Sequence, residues 1–356
     1  MAAYHGACKA EALGHRGSAH AWPRLLAGAA IGVTAVGVTA VGIWLTRAKQ
    51  SAKAAVDLID GTTFRARPMP APEGPISAFY QEHGYAIFRG VLALDRIAAL
   101  RSTVESEVIA SDRAFLRHKS TAREPNRFID GDRQRIPVNA LLDPHAQPET
   151  PRTAAAIEEL LLTDSLADLL TGIDGAGNYT VHQTILFFTP PGTGLHLDGW
   201  GFDTEPRGFG HTVWIPLEPV TLHNGPLAIV PWPRGKLLSA TELGVEEPSE
   251  PADGSRRPYE AYHAALNTYL RQHAPDCVVP QLDPGDVVVF ASTTPHGTLP
   301  FSSPSRWAMQ VIVRPSNLRW GSWPQFQAGL VRSPKGPLGG LKSVGDRWRI
   351  VCHTEA

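Results

Sequence analysis

The stretch His196-Leu197-Asp198-Gly199-Trp200 follows a strand-like run and a Pro-Pro-Gly turn, and it carries a histidine and an aspartate two positions apart. Side chains two apart in an extended segment lie on the same side, so one short piece of chain can supply two metal ligands. The chain has 14 His, so this pair alone is close to a chance event. A second histidine, His296, closes the run PGDVVVFASTTPHG at 284–297, and Arg306 follows it.

Two histidines and one carboxylate form the facial triad of non-haem iron(II) sites. Such a set occupies one face of an octahedral ion and leaves the opposite face open for a chelating cosubstrate and dioxygen. A set made only of cysteines or only of carboxylates would favour other metals. The sequence therefore predicts His196, Asp198 and His296 as ligands of Fe(II).

Composition excludes several classes of protein. The chain has 356 residues and a formal net charge of -1. It has no excess of positive charge that would attract a polyanion, so we expect no nucleic-acid partner. The 3 cysteines are widely separated and fit neither a disulfide framework nor a zinc pattern, which favours a reducing compartment.

Residues 25–45 carry no charge and have basic residues on both sides. As a helix they would rise about 30 Å, the thickness of a hydrocarbon core. We predict a single-pass membrane helix, with a cleaved signal or a buried soluble helix as alternatives. Basic residues crowd closer on its C-terminal side, which favours a cytoplasmic catalytic domain.

The predicted organisation is a polar tail (1–24), the membrane helix (25–45), a Pro-rich linker (46–75), a globular domain (76–317) and a C-terminal extension (318–356).

The globular part begins with helical segments and then changes to short strands rich in β-branched and aromatic residues. The predicted strands are 85–91, 179–189, 211–217, 226–231, 278–282, 286–290 and 308–313, and a partly helical insert spans 236–277. This pattern predicts a mainly β jelly roll with flanking helices. The arginine-rich stretch 111–150 is typical of a solvated loop. An alternative is a lid that contacts an acidic group of a substrate.

Four strings occur in order, "FYQEHGYAIFRGVL", "HLDGWG", "NGPLAIVP" and "PGDVVVFASTTPHGT", with an arginine ten residues after the last histidine. Over residues 76–315 the chain thereby resembles the phytanoyl-CoA dioxygenase family of oxygenases. The resemblance implies a double-stranded β-helix (cupin-like jelly roll) that needs Fe(II), with 2-oxoglutarate and O2 as cosubstrates. It also implies that Arg306 holds the distal carboxylate of 2-oxoglutarate, and that Thr298 and Trp214 make further cosubstrate contacts.

The resulting hypothesis is a dioxygenase that decarboxylates 2-oxoglutarate and hydroxylates a small molecule. A membrane tether favours a lipid, acyl or terpenoid-like substrate. Halogenation needs the carboxylate ligand to be missing, and Asp198 disfavours it. Desaturation and ring formation stay open, as does a catalytically inactive, membrane-tethered jelly roll that serves as a binding or scaffold protein.

Overall fold

The computed structural model describes residues 55–58, 63–67, 74–130, 135–246, 257–323 and 340–352. The predicted membrane helix at 25–45 lies outside these residues. Within the described part of the chain, no helix combines the length and the apolar character needed to cross a membrane.

The helices start and stop where local chemistry directs them. α1 ends at Gly84 in the left-handed conformation (φ 71°), and α4 is capped by the Thr163 hydroxyl, which accepts from the Leu166 amide. Pro151 occupies the first turn of α3, where its missing amide hydrogen costs no hydrogen bond. The helices are α1 (Ile76–His83), α2 (Leu94–Val104, continued by a π-helical turn, Glu105–Ile109), α3 (Pro151–Leu161), α4 (Asp164–Asp174), α5 (Ala240–Leu243) and α6 (Arg257–His273).

The strands are mostly short. They are β1 (Ala55–Asp57), β2 (Thr63–Arg67), β3 (Tyr85–Phe88), β4 (Phe115–Leu116), β5 (Arg123–Glu124), β6 (Phe128–Asp130), β7 (Arg135–Pro137), β8 (Leu141–Leu142), β9 (Tyr179–Phe187), β10 (Asp203–Glu205), β11 (His211–Pro216), β12 (Leu227–Ile229), β13 (Asp276–Val278), β14 (Val287–Ala291), β15 (His296–Thr298), β16 (Ala308–Pro315), β17 (Arg319–Gly321), β18 (Gly340–Val344) and β19 (Trp348–Cys352).

Two sheets face each other. The larger has the order β18-β19-β9-β16-β11-β14-β3, with β8 also on β9, and the smaller has the order β1-β2-β13-β12-β15. Most neighbours are antiparallel, while β19–β9 and β13–β2 are parallel. Additional two-stranded pairs are β4–β5, β6–β7 and β10–β17. The result is a mainly β fold of the jelly-roll type.

Alternation along the strands sorts side chains between the two sides of each sheet. On β11, Val213 packs in the cluster that includes residues of α2, α3 and α4, whereas Trp214 packs between the sheets with Leu227 of β12. On β12, the neighbouring Ala228 instead packs in the cluster that contains residues of α6. Helices thus cover the outer faces, and the space between the sheets is left for the site.

Several boundaries differ from the sequence predictions. The strand predicted at 278–282 ends at Val278, because Pro280 has no amide hydrogen for a ladder. Stretch 111–150 is not a simple solvated loop, since it forms β4 to β8 and buries Arg117 and Leu141. The sheets also extend beyond 76–317. β2, in the predicted linker, pairs with β13, and β19, in the predicted extension, pairs with β9.

Candidate metal centre

The side chains of His196, Asp198 and His296 converge, and one ligand atom from each lies within 4.8 Å of the others. His196 Nε2 lies 3.7 Å from Asp198 Oδ1, and His296 Nε2 lies 3.6 Å from Asp198 Oδ2. These separations leave room for a metal ion between the three groups, because metal–ligand bonds to such atoms are about 2.0–2.2 Å long.

The two histidines are joined by their own backbones. The amide of His196 donates to the carbonyl of His296 (2.9 Å), and the reverse bond is 3.0 Å long. This pairing sets the imidazole centroids 4.3 Å apart. Glycine at position 297 favours this close approach, because a Cβ atom there would lie only 3.1 Å from the backbone of Gly194.

In each imidazole, the nitrogen that faces away from Asp198 forms a hydrogen bond with the backbone. His196 Nδ1 donates to the Gly194 carbonyl (2.9 Å), and His296 Nδ1 donates to the Thr294 carbonyl (3.0 Å). A carbonyl can only accept, so the proton is on Nδ1 and the Nε2 lone pair faces Asp198. Burial lowers the pKa of His296 to about 4, against the opposing charge of Asp198. The ring is therefore neutral at pH 7, as a metal ligand must be.

Asp198 begins a short 3-10 turn and is oriented from outside that turn. The Thr212 hydroxyl donates to its Oδ2 atom (2.5 Å), and the Gln310 amide lies 3.5 Å from the same oxygen. The turn itself is held by the Gly199 amide, which donates to the Ser292 carbonyl (2.7 Å). This donor set, with neutral imidazoles and an oriented carboxylate, fits a non-haem iron.

Arg306 is buried between the sheets, with 2% of its surface exposed. Its Nη1 donates to the Gly225 carbonyl (2.5 Å), while its Nε is buried without a partner. Burial lowers the pKa of Arg306 to about 9, with Glu218 acting in the opposite sense. The guanidinium is therefore still charged at pH 7, and its unused donor fits an incoming carboxylate.

The two other predicted contacts lie beside this arginine or beside the triad. The Arg306 guanidinium is 5.5 Å from the ring centre of Trp214. Thr298 is on β15 two residues after His296, and it is buried. The structure thus brings all six predicted residues to the space between the sheets.

Sequence reasoning missed His263, on α6 in the insert. Its Nε2 accepts a hydrogen bond from the amide of Leu197 (3.1 Å), the residue between two of the predicted ligands. Its Nδ1 donates to the Tyr259 carbonyl (2.7 Å), which fixes the tautomer. No signal in the sequence linked the insert to the 196–198 turn. Thr212 was also missed, although it shares a strand face with Trp214.

Among the solved structures that match, the first described here supports the fold. The non-haem α-ketoglutarate-dependent carbocyclase SnoK from nogalamycin biosynthesis has a TM-score of 0.51 and 18% identity, over 76% of this chain and 95% of its own. EctD from S. alaskensis, solved with 2-oxoglutarate and 5-hydroxyectoine, has a TM-score of 0.44 and 18% identity, over 77% and 85% of the two chains. AviO1 from Streptomyces viridochromogenes Tue57 has a TM-score of 0.42 and 20% identity, over 75% of this chain and 96% of its own. No curated protein sequence matches the chain.

Family models give a more specific result. The model described as phytanoyl-CoA dioxygenase (PhyH) matches residues 80–308, which is more than half of the chain. The matched range includes all the residues of the candidate centre described above except Gln310. The resemblance seen in the sequence is confirmed. The chain belongs to the phytanoyl-CoA dioxygenase family of iron- and 2-oxoglutarate-dependent oxygenases.

Proposed function

We propose that the protein is a hydroxylase, which couples the oxidative decarboxylation of 2-oxoglutarate to hydroxylation of a small organic molecule. The observation that carries this proposal is the complete ligand set, in which Asp198 is present and held by Thr212. In a halogenating relative, a halide would occupy the coordination position that is assigned here to the Asp198 carboxylate. Iron bound at such a centre supplies the activation of dioxygen.

Each residue has a proposed role. His196, Asp198 and His296 hold the iron on one face. Arg306 pairs with the distal carboxylate of 2-oxoglutarate, for which its partnerless Nε is available. Trp214, whose ring lies against that guanidinium, and Thr298 make further contacts with the cosubstrate.

The substrate and the location are proposed from the sequence alone. We propose a membrane-tethered enzyme with a cytoplasmic catalytic domain that oxidises a lipid, acyl or terpenoid-like molecule. The basis is the uncharged segment 25–45. Succinate release in the presence of lipid extracts or of polar metabolite pools tests this idea, and stimulation by the polar pool alone would refute it.

The function itself is tested in two steps. Anaerobic addition of Fe(II) and 2-oxoglutarate should produce a weak visible charge-transfer band, and admission of O2 should yield succinate. His196→Ala and Asp198→Ala should lose both signals, whereas Arg306→Ala should mainly raise the KM for 2-oxoglutarate. His223→Ala, at an exposed histidine, is the matched control and should behave as wild type. A folded protein with neither signal would instead support the scaffold alternative.

A further inference from the structure

A pocket lies beside the metal centre, between the β4–β5 hairpin and the end of β9. Its walls include His118 and Lys119 from the hairpin, and Phe187 and Pro191 from the end of β9 and beyond. The Phe187 ring links the pocket to the centre, because it lies 5.9 Å from the His118 ring and 5.9 Å from the Arg306 guanidinium. The charge of Asp198 also acts on the pKa of His118.

The pocket is positively charged. Arg117, Lys119 and Arg127 line it, and no carboxylate does among the residues that the structure describes. Arg117 is buried, and it donates to two backbone carbonyls and one amide oxygen, all of them neutral. Its charge is therefore not neutralised by direct contact. A cation in a partly enclosed site attracts an anion more strongly than one in open water does.

Lys119 is the cation best placed for a ligand. Arg127 is already paired with Glu124 at 3.3 Å, whereas Lys119 Nζ donates to the Pro191 carbonyl (3.0 Å) and forms no ion pair within the described residues. An ammonium has three donors, so two remain for a ligand. The neighbouring His118 has a buried Nδ1 without a hydrogen-bond partner. Burial lowers the pKa of His118 to about 4, so its ring is neutral and can donate one hydrogen bond.

We propose that this pocket binds an anionic group of the substrate, a carboxylate or a phosphate monoester, with Lys119 as its counter-ion and His118 as a second hydrogen-bond donor. The inference rests on the proposed function and narrows the substrate to an acid. Arg306 is assigned to 2-oxoglutarate, so a second anion needs a second cation. A lid that contacts an acidic group of a substrate is the alternative given above for stretch 111–150, and Arg117, Lys119 and Arg127 of that stretch line the pocket.

Binding can be tested without turnover. The full chain is labelled with 15N-histidine, loaded with Zn(II) in place of iron, and saturated with 2-oxoglutarate. It is then titrated separately with butyrate, butyl phosphate and butanol while the His118 ring signals are followed by NMR. Either anion should shift these signals and butanol should not, and the tighter-binding anion identifies the group recognised. Unshifted His118 signals with both anions would overturn the proposal.

The lysine is tested by substitution. Lys119→Gln should weaken anion binding at least about tenfold, the effect of one charge-assisted hydrogen bond, while Lys119→Arg should retain most of it. Lys342→Gln, at an exposed lysine paired with Glu158, should bind as wild type does. Equal binding by Lys119→Gln and wild type would refute the role of Lys119.

A kinetic measurement separates the substrate from the cosubstrate. Half-saturation by 2-oxoglutarate in substrate-free turnover should be unchanged in Lys119→Gln. A tenfold rise would assign the pocket to the cosubstrate and overturn the proposal. The experiments distinguish failure of the anion-pocket proposal from failure of the proposed function. Succinate formation without anion binding refutes only the anion pocket. Anion binding without succinate formation refutes only the hydroxylase.

Discussion

Asp198 depends on a single hydroxyl for its orientation. The Thr212 hydroxyl is wholly buried and donates to Oδ2, while the only other hydrogen bond described for that oxygen, from Gln310, is long at 3.5 Å. A carboxylate that can rotate presents its oxygen to a metal for only part of the time. Orientation of this kind contributes to metal affinity even though Thr212 does not touch the metal.

We expect Thr212→Val to weaken Fe(II) binding or lower succinate formation by about 10- to 100-fold, the range seen when groups that orient metal ligands are removed. Valine keeps the shape of threonine and removes only the hydroxyl. Anaerobic Fe(II) titration and succinate assays measure the effect. Thr212→Ser keeps the hydroxyl and should stay close to wild type, and a valine variant with unchanged affinity would contradict the role of this hydroxyl.

At the scale of elements, α6 carries two copies of one motif. His263 and His273 each donate from Nδ1 to the carbonyl of a tyrosine four residues earlier, and each ring packs on that tyrosine, at 4.1 Å and 4.0 Å between centroids. Only His263 is buried against the sheet, and only it accepts the Leu197 amide. The helix therefore supports the turn that carries two of the predicted iron ligands.

His263→Phe should weaken Fe(II) affinity by about tenfold, because it leaves the buried Leu197 amide without an acceptor, at a cost of about 1–3 kcal/mol. His263→Gln offers an acceptor near the position of Nε2 and should recover most of the loss. His273→Phe is an internal control in the same helix and motif. Metal titration and thermal denaturation of all three variants separate positioning from general stability. Equal affinities for the two phenylalanine variants would rule out this role of α6.

At the scale of the whole molecule, one buried polar contact connects the helical layer to the large sheet. His211 Nε2 on β11 lies 2.8 Å from Asp174 Oδ2 at the end of α4, and both side chains are fully buried. The other ring nitrogen of His211 is paired with the Tyr80 hydroxyl of α1 (2.8 Å). Burial alone would raise the pKa of Asp174, but hydrogen bonds from His211, Ala176 and Tyr179, with the charge of His211, lower it below 3.8.

The lowered pKa of Asp174 determines how the stabilisation by the Asp174–His211 contact depends on pH. A carboxyl whose pKa is lower in the folded state stabilises the protein above its unfolded pKa, and the contribution is lost as the pH falls through the folded pKa. Asp174→Asn should lower the urea midpoint at pH 7, and its difference from wild type should shrink from about pH 4 downward. Asp168→Asn, at an exposed ion pair on the same helix, should cost at most about 1 kcal/mol. A constant difference between Asp174→Asn and wild type down to pH 2 would contradict this account.

The sequence allowed prediction of those parts of the molecule that local pattern determines. Period-two spacing places His196 and Asp198 on one side of the chain, and strand composition predicts the jelly-roll class. The residues that orient the ligands could not be predicted, because Thr212 reaches Asp198 only through the packing of separate strands. His263 depends on how a long insert folds back over the small sheet. Both are set by tertiary contacts that leave no periodic signal.

The mutual backbone bonds of His196 and His296 have a consequence for metal exchange. Ordering a residue costs about 1–2 kcal/mol of conformational entropy. For His196 and His296 this ordering occurs when the chain folds, before any metal binds. Small domains that gain their fold from zinc behave differently, because chelation unfolds them. In this protein the two histidines are held by these backbone bonds, so a chelator should remove the ion and leave the two sheets folded, ready to be reloaded with iron or with a substitute of similar size.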